Sequence, residues 1–196
     1  MLSLILGITG FVLYILYDIN SFTFQSKILH TAFALGTALI AAATILDIAA
    51  AWKIGAFFGL VDAGLTAAAA VCFAALVYSL FFALPFQETY AEQGKGRHTC
   101  DRGVYALCRH PGILCFFGVF LFLGAAALPG KLLVHGMVLS LLNLVYAYFQ
   151  DRITFPKTFC DYEAYREKVP FLIPTRNSIR LARQTWNRSV SEEDKT

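Results

Sequence analysis

Five long runs of almost unbroken apolar residues leave this chain few folds to choose from. They are Met1–Ile19, Ile28–Trp52, Phe57–Leu84, Gly112–Leu128 and Leu132–Phe149, and their charged interruptions are Asp18, Asp47 and Asp62. A helix crossing a bilayer needs about 20 mainly apolar residues. A soluble domain carries roughly 45–50% apolar and about 25% charged residues. Here 58% of 196 residues are hydrophobic and 15% are charged, too little polar surface to cover a soluble core. Disorder, a collagen-like fibre and most soluble enzymes are excluded. The expected fold is all-α: a polytopic integral membrane protein with about five transmembrane helices and a cytoplasmic C-terminal lid. The first run lacks the basic start and small-residue cleavage site of a secretory signal, so it reads as a retained helix. The five cysteines are odd in number and include no C-x-x-C pair, which argues against a disulfide framework. Cys72 and Cys115 fall in apolar runs and read as small buried hydrophobes.

The scarce charges organise the chain. Residues 1–86 hold three apolar spans. Residues 87–176 hold a polar loop, a helical hairpin and the lid, and residues 177–196 form a basic amphipathic tail. Asn20 to Lys27 is a polar linker, Lys53–Gly55 and Pro129-Gly130 read as turns, and Pro85 ends the third span. The loop from Gln87 to His110 carries Glu88, Glu92, Lys95, Arg97, Asp101, Arg102 and Arg109 among Gly94, Gly96 and Gly103. Loops of that length in a compact chain are usually functional or disordered. With five spans, the loop, the tail and Lys27 share one side, and only Lys53 and Lys131 of the 16 Lys and Arg fall on the other. The positive-inside rule then turns loop 87–111 and the C-terminus to the cytoplasm. Asp47, Asp62 and His135 sort to the outer ends of their spans. Asp18, His30, His110 and Asp151 sort to the cytoplasmic ends. Asp47 and Asp62 read as interfacial anchors or partners of Lys53.

The segment Gly103-Val104-Tyr105-Ala106-Leu107-Cys108-Arg109-His110-Pro111-Gly112 carries the chemistry. Proline is favoured at the first helical position, where its missing N–H costs nothing. Pro111 therefore marks a helix start, with Arg109 and His110 just before it. Backbone N–H groups, the positive end of the helix dipole and two basic side chains converge there on an anion site, for a carboxylate or a phosphate.

These residues resemble the signature of the isoprenylcysteine carboxyl methyltransferase and phospholipid methyltransferase superfamily. Gly103-Val104-Tyr105 followed by Arg109-His110-Pro111-Gly112 matches its first half. Tyr162, Tyr165, Arg166, Val169-Pro170 and Leu172-Ile173-Pro174 match its ending, so the motifs cover roughly Thr99 to Pro174. The resemblance implies a membrane enzyme that transfers a methyl group from S-adenosylmethionine to a lipid-like or membrane-soluble acceptor. It implies that His110 and Pro111 hold the methionine part of the cofactor, that Gly103 and Tyr105 shape the same pocket, and that the tail folds back over it with Tyr162 and Tyr165 packing the lid. Arg109, Asp151 and Arg152 are the candidate catalytic residues. The sequence departs from the family where an aromatic becomes Ile113, where a paired Glu becomes Asp151-Arg152, and where Phe-Gly becomes Phe159-Cys160. The second touches the region nearest the acceptor, whose identity stays open among a carboxylate, an amine, a phenol and a thiol.

Methyl transfer is an in-line displacement that needs alignment and exclusion of water. A site at the cytoplasmic ends of the spans meets a polar cofactor from one side and an apolar acceptor from the other. Asp151 reads equally as a site residue and as a solvated helix end. Tyr146 and Tyr148 read as an interfacial aromatic belt or as a face for the sulfonium. Two other functions compete: an NADPH-dependent membrane reductase of the sterol type, and a non-catalytic transporter or assembly subunit centred on Asp47 and Asp62. No metal site is read: His98-Thr99-Cys100 with Cys108-Arg109-His110 does not follow standard zinc spacing. Gly55-x-x-x-Gly59 offers a close helix approach. Asn187-Arg188-Ser189 is a sequon that a cytoplasmic tail leaves unmodified. Ile179, Ala182 and Trp186, flanked by Arg180 and Arg183, suit a helix lying on an anionic membrane surface, ahead of a frayed end from Ser191 to Thr196. The expected partners are the bilayer and the methyl acceptor, with no nucleic acid. The sequence does not specify an oligomeric state.

Overall fold

A computed structural model describes residues 1–83 and 97–193, with side chains as far as residue 186. Pro85, Glu88, Glu92, Gly94, Lys95, Gly96, the side chains of the sequon and residues 194–196 lie outside the described residues. The described chain is helical, and its only β-type contact is an isolated parallel bridge between Arg97 and Phe159. The helices are α1 (Leu2–Phe22), α2 (Lys27–Lys53), α3 (Leu60–Phe81), α4 (Val104–Leu107), α5 (Pro111–Ala126), α6 (Leu132–Phe149), α7 (Phe155–Thr158), α8 (Tyr162–Lys168) and α9 (Arg176–Glu193). A π-helical turn, Gln150–Thr154, joins α6 to α7.

Among the described residues, four helical runs are long and apolar enough to cross a membrane: α1, α2, α3 and the continuous run Leu132–Thr158. The expected fourth span is α5, which has only 16 residues. At about 1.5 Å per residue it is near 24 Å long, short of a hydrocarbon core of about 30 Å. The last span departs in the opposite sense. Its helix runs on past Phe149 to Thr158, so Asp151 is not at a helix end. Pro156 explains the π turn: it has no N–H for the carbonyl four residues earlier, and its ring crowds that position. Widening the preceding turn accommodates both effects.

The chain divides into two compact units, residues 1–73 with 116–154, and residues 74–115 with 155–196. These units cut across the three sequence segments because the long helices α3 and α5 each contribute to both.

In the first unit, α1 and α2 form a hairpin whose backbones touch. A Cβ added to Gly36 would lie 2.8 Å from the Gly10 carbonyl oxygen, and one added to Gly10 would meet Gly36 at the same distance. This glycine pair, not Gly55 and Gly59, provides the close helix approach. Gly55 instead ends α2. Its φ of +81° is the left-handed conformation glycine adopts freely. Its N–H reaches the Trp52 carbonyl while that of Ala56 reaches the Ala51 carbonyl, a Schellman closure. The turn after α1 is clamped by Asn20, whose side chain donates to the Ser26 carbonyl and accepts from the Ser26 N–H. The core of this unit holds Phe11, Ile40, Phe120, Leu132, Leu139 and Tyr146. Outward-facing Val12, Leu16, Phe33, Leu35, Ile45, Val71 and Phe73 are exposed, as lipid-facing side chains are.

The first unit also gathers its polar residues at two levels. At one, the Ser3 hydroxyl donates to Asp47 Oδ1 (2.7 Å) and His135 Nδ1 lies 2.8 Å from Asp47 Oδ2. Asp47 is therefore paired within the helices and not with Lys53. Asp62 also has another role: its carboxylate accepts the Gly59 N–H at the start of α3. At the other level, Thr154 donates to Asp18, which Tyr146 and Gln150 also hydrogen bond.

Candidate cofactor site in the second unit

The second unit is built around Tyr162, Tyr165 and Val169, packed by Phe155, Phe159 and Leu181. Burying two tyrosines requires partners for their hydroxyls. The Tyr165 hydroxyl donates to the Tyr105 carbonyl oxygen at 2.7 Å, and the Tyr105 hydroxyl donates to the Ser79 carbonyl oxygen at 2.8 Å. Burial pushes the Tyr165 phenol well above its ordinary range. It stays protonated and donating across the physiological range.

Pro111 begins α5, and the residues before it meet the tail. The Arg109 N–H donates to the Pro170 carbonyl (2.9 Å) and the His110 N–H to the Phe171 carbonyl (3.3 Å). The Arg109 guanidinium adds two contacts from Nη1, to the Arg166 carbonyl (3.1 Å) and the Val169 carbonyl (2.6 Å). The first belongs to the last turn of α8 and the second to the residue that caps it, carbonyls that lack a partner within the helix. A cation beside them also complements the helix dipole. The guanidinium lies 5.7 Å from the centre of the Phe171 ring. Thus the amides of Arg109 and His110 are spent on the tail, and the Arg109 guanidinium also holds backbone.

His110 is buried, stacked on Phe155 (5.7 Å between ring centres, 11° between planes) and edge-on to Phe171 at 5.0 Å. Cys108 is buried beside it, and burial pushes its thiol up to about 11. His98 meets Cys160 and Asp161.

Gly103 sits at φ +55°, with its N–H donating to the Thr185 hydroxyl of α9 at 3.2 Å and the Trp186 ring 3.8 Å from where a Cβ would stand. α9 therefore packs on this unit through Ala182 and Thr185, while Ile179 and Trp186 stay exposed. Ile179, Ala182, Arg183 and Trp186 line an open groove with Leu107, of about 450 Å³. Amphipathic spacing pointed to this face of α9. Nothing in the sequence said that α4 would meet it.

Asp151 and Arg152 belong to the first unit. Asp151 is only 1% exposed, so it is not a solvated helix end. Arg152 lies over the Tyr148 ring at 5.4 Å. Tyr146 is a core residue packed on Phe11 and Tyr14, while Tyr148 is exposed. Sequence reasoning missed Asn20, Gln150 and Thr154. The available signal was Pro156 six residues into the last polar stretch, which foretells a distorted turn.

No family model, curated protein or solved structure matches this chain.

Proposed function

We propose that the chain is a membrane-embedded methyltransferase that uses S-adenosylmethionine and acts on a lipid-like or membrane-soluble acceptor. The observation that carries this reading is the direct bonding of the two motif halves within one unit. Tyr165 to Tyr105 spans 60 residues of sequence, and Arg109 and His110 pair with Pro170 and Phe171. The resemblance requires the two halves to lie together, and this bonding supports that requirement.

The residues of the α4–α9 groove fit the cofactor's chemistry. Trp186 offers a flat face for an adenine ring, Arg183 a cation for a carboxylate, and Leu107 and Ala182 an apolar floor. The bound cofactor supplies an electrophilic methyl group on a sulfonium. Gly103 keeps the backbone close to the Trp186 ring because it has no side chain. Tyr105 and Tyr165 fix the floor by hydroxyls that donate to the Ser79 and Tyr105 carbonyls. Arg109 acts as a positioning residue that clamps the lid and so excludes water. Loop and tail face the cytoplasm in this reading, where the cofactor is supplied.

Titration calorimetry of the purified, detergent-solubilised chain with S-adenosylhomocysteine tests the proposal. Saturable binding that weakens in Arg183→Ala and Trp186→Ala supports it. Folded protein that fails to bind at millimolar ligand, or that is stabilised by NADPH instead, overturns it.

A further inference from the structure

A separate group of side chains lies where the loop before α4 first meets the tail. The parallel bridge of Arg97 with Phe159 is closed by the Cys160 N–H, which donates to the Arg97 carbonyl at 2.9 Å. This places the next residue of the loop, His98, beside the next residues of the tail, Cys160 and Asp161. His98 Nδ1 lies 3.2 Å from Asp161 Oδ2 and 3.6 Å from Cys160 Sγ. The three ligand atoms all fall within 4.8 Å of one another.

These separations are those of a coordination sphere. Zinc binds sulfur at about 2.3 Å, and imidazole nitrogen and carboxylate oxygen at about 2.0–2.2 Å. At tetrahedral angles those lengths put nitrogen and oxygen about 3.4 Å apart, and sulfur and nitrogen about 3.6 Å apart. The two distances from His98 differ from these by no more than about 0.2 Å, and the Cys160 sulfur and Asp161 carboxylate, within 4.8 Å, close on the ion by side-chain rotation.

Asp161 adds a second, independent observation. It occupies the N-cap of α8, where an aspartate normally accepts an amide hydrogen bond from the first turn. It makes no such bond. Its Oδ1 accepts the Thr99 N–H at 2.8 Å, which turns Oδ2 toward His98 and Cys160. An outer hydrogen bond that orients a carboxylate in this way is what metal ligands commonly have. Cys160 and His98 are exposed, so an ion arrives without crossing apolar packing.

We propose that His98, Cys160 and Asp161 bind a divalent cation of the zinc class, leaving one coordination position to water. A thiolate with an imidazole and one carboxylate selects zinc over magnesium or calcium, which prefer all-oxygen sites. The ion ties the loop leading into Gly103 to the first residue of the lid helix. It acts outside the α4–α9 groove and does not depend on what that groove binds.

Chelator-treated full-length protein in detergent, titrated with cobalt(II) and zinc(II), tests the site. The expected result is one equivalent of cobalt with a thiolate-to-cobalt absorption band that zinc bleaches. Cys160→Ser removes the band, Cys100→Ser keeps it, and Asp161→Asn weakens affinity by about tenfold or more. In the unaltered chain, zinc also protects Cys160 from alkylation, a readout that survives if a variant fails to fold. Absence of the band in folded protein, its persistence in Cys160→Ser, or alkylation of Cys160 unaffected by zinc each overturns the site. Binding of S-adenosylhomocysteine, measured on the same sample, reports separately on the proposed function.

Discussion

Replacing Arg109 with alanine should loosen the lid while leaving the rest of the chain folded. The guanidinium makes two hydrogen bonds from Nη1, to the Arg166 and Val169 carbonyls, and sits against Phe171. Hydrogen bonds from a charged donor contribute about 1.5–3 kcal/mol each, and the ring contact about 0.5–1 kcal/mol. One nitrogen serves both carbonyls, so the bonds do not add fully. A loss of about 2–4 kcal/mol follows, which raises lid opening between about thirtyfold and several hundredfold. The backbone bonds to Pro170 and Phe171 survive in the variant, so the lid should remain docked at rest. Hydrogen exchange of peptides covering Tyr162–Phe171 reads this directly, with α2 as the internal reference. Arg109→Lys keeps the charge but not the planar fork and should recover only part of the protection. Protection of Tyr162–Phe171 in Arg109→Ala equal to that of the unaltered chain would refute the clamp.

Other perturbations probe the rest of the molecule. Gly36→Ala drives a methyl against the Gly10 carbonyl and the Tyr14 ring, and should lower stability by about 1–3 kcal/mol, read as a lower thermal midpoint in detergent. A midpoint equal to the unaltered chain's removes the claim of backbone contact. Asp47→Asn leaves His135 and Ser3 without their shared carboxylate and should cost stability while leaving S-adenosylhomocysteine affinity unchanged; loss of affinity alone contradicts that assignment. Burial raises the Cys108 thiol from 9.0 to about 11, so the native state favours the protonated form. Its stabilising effect is complete below the unfolded value and is lost as pH climbs through that interval; unfolding midpoints of the unaltered chain and Cys108→Ala compared across alkaline pH should diverge there. At neutral pH, exposed Cys160 should alkylate well before Cys108, and equal rates would show that Cys108 is not buried.

Apolar run length made the first three helices legible, because α1, α2 and α3 are defined by composition alone. The ends of the last two were less legible. The expected fourth span reaches Leu128, but α5 stops at Ala126, ahead of a turn closed by the Gly130 N–H on the Ala127 carbonyl. Polarity beginning at Gln150 suggested a chain leaving the membrane, whereas the helix carries Asp151 onward as a buried group. Local composition does not report the tertiary partners that allow this. Of the site, Pro111 as a helix start and the association of Tyr165 with the loop were readable from residue type and motif. The engagement of Arg109 with the α8 carbonyls was not, because a guanidinium matches an anionic ligand and a helix end equally well. The His98 group was invisible for a related reason. Its members are 62 and 63 residues apart and become neighbours only through one backbone bridge.

The loop and the tail are joined at two places, Arg97 with Phe159 and Cys160 at one end, and Arg109 and His110 with Pro170 and Phe171 at the other. Two stretches of chain riveted at both ends must each keep the spacing between their rivets. An insertion in one stretch puckers it unless the other lengthens too, or unless the extra residue is extruded as a bulge. The stretches 98–108 and 161–169 should therefore tolerate substitution far better than a change in spacing, and a deletion in one should be rescued by a compensating deletion in the other.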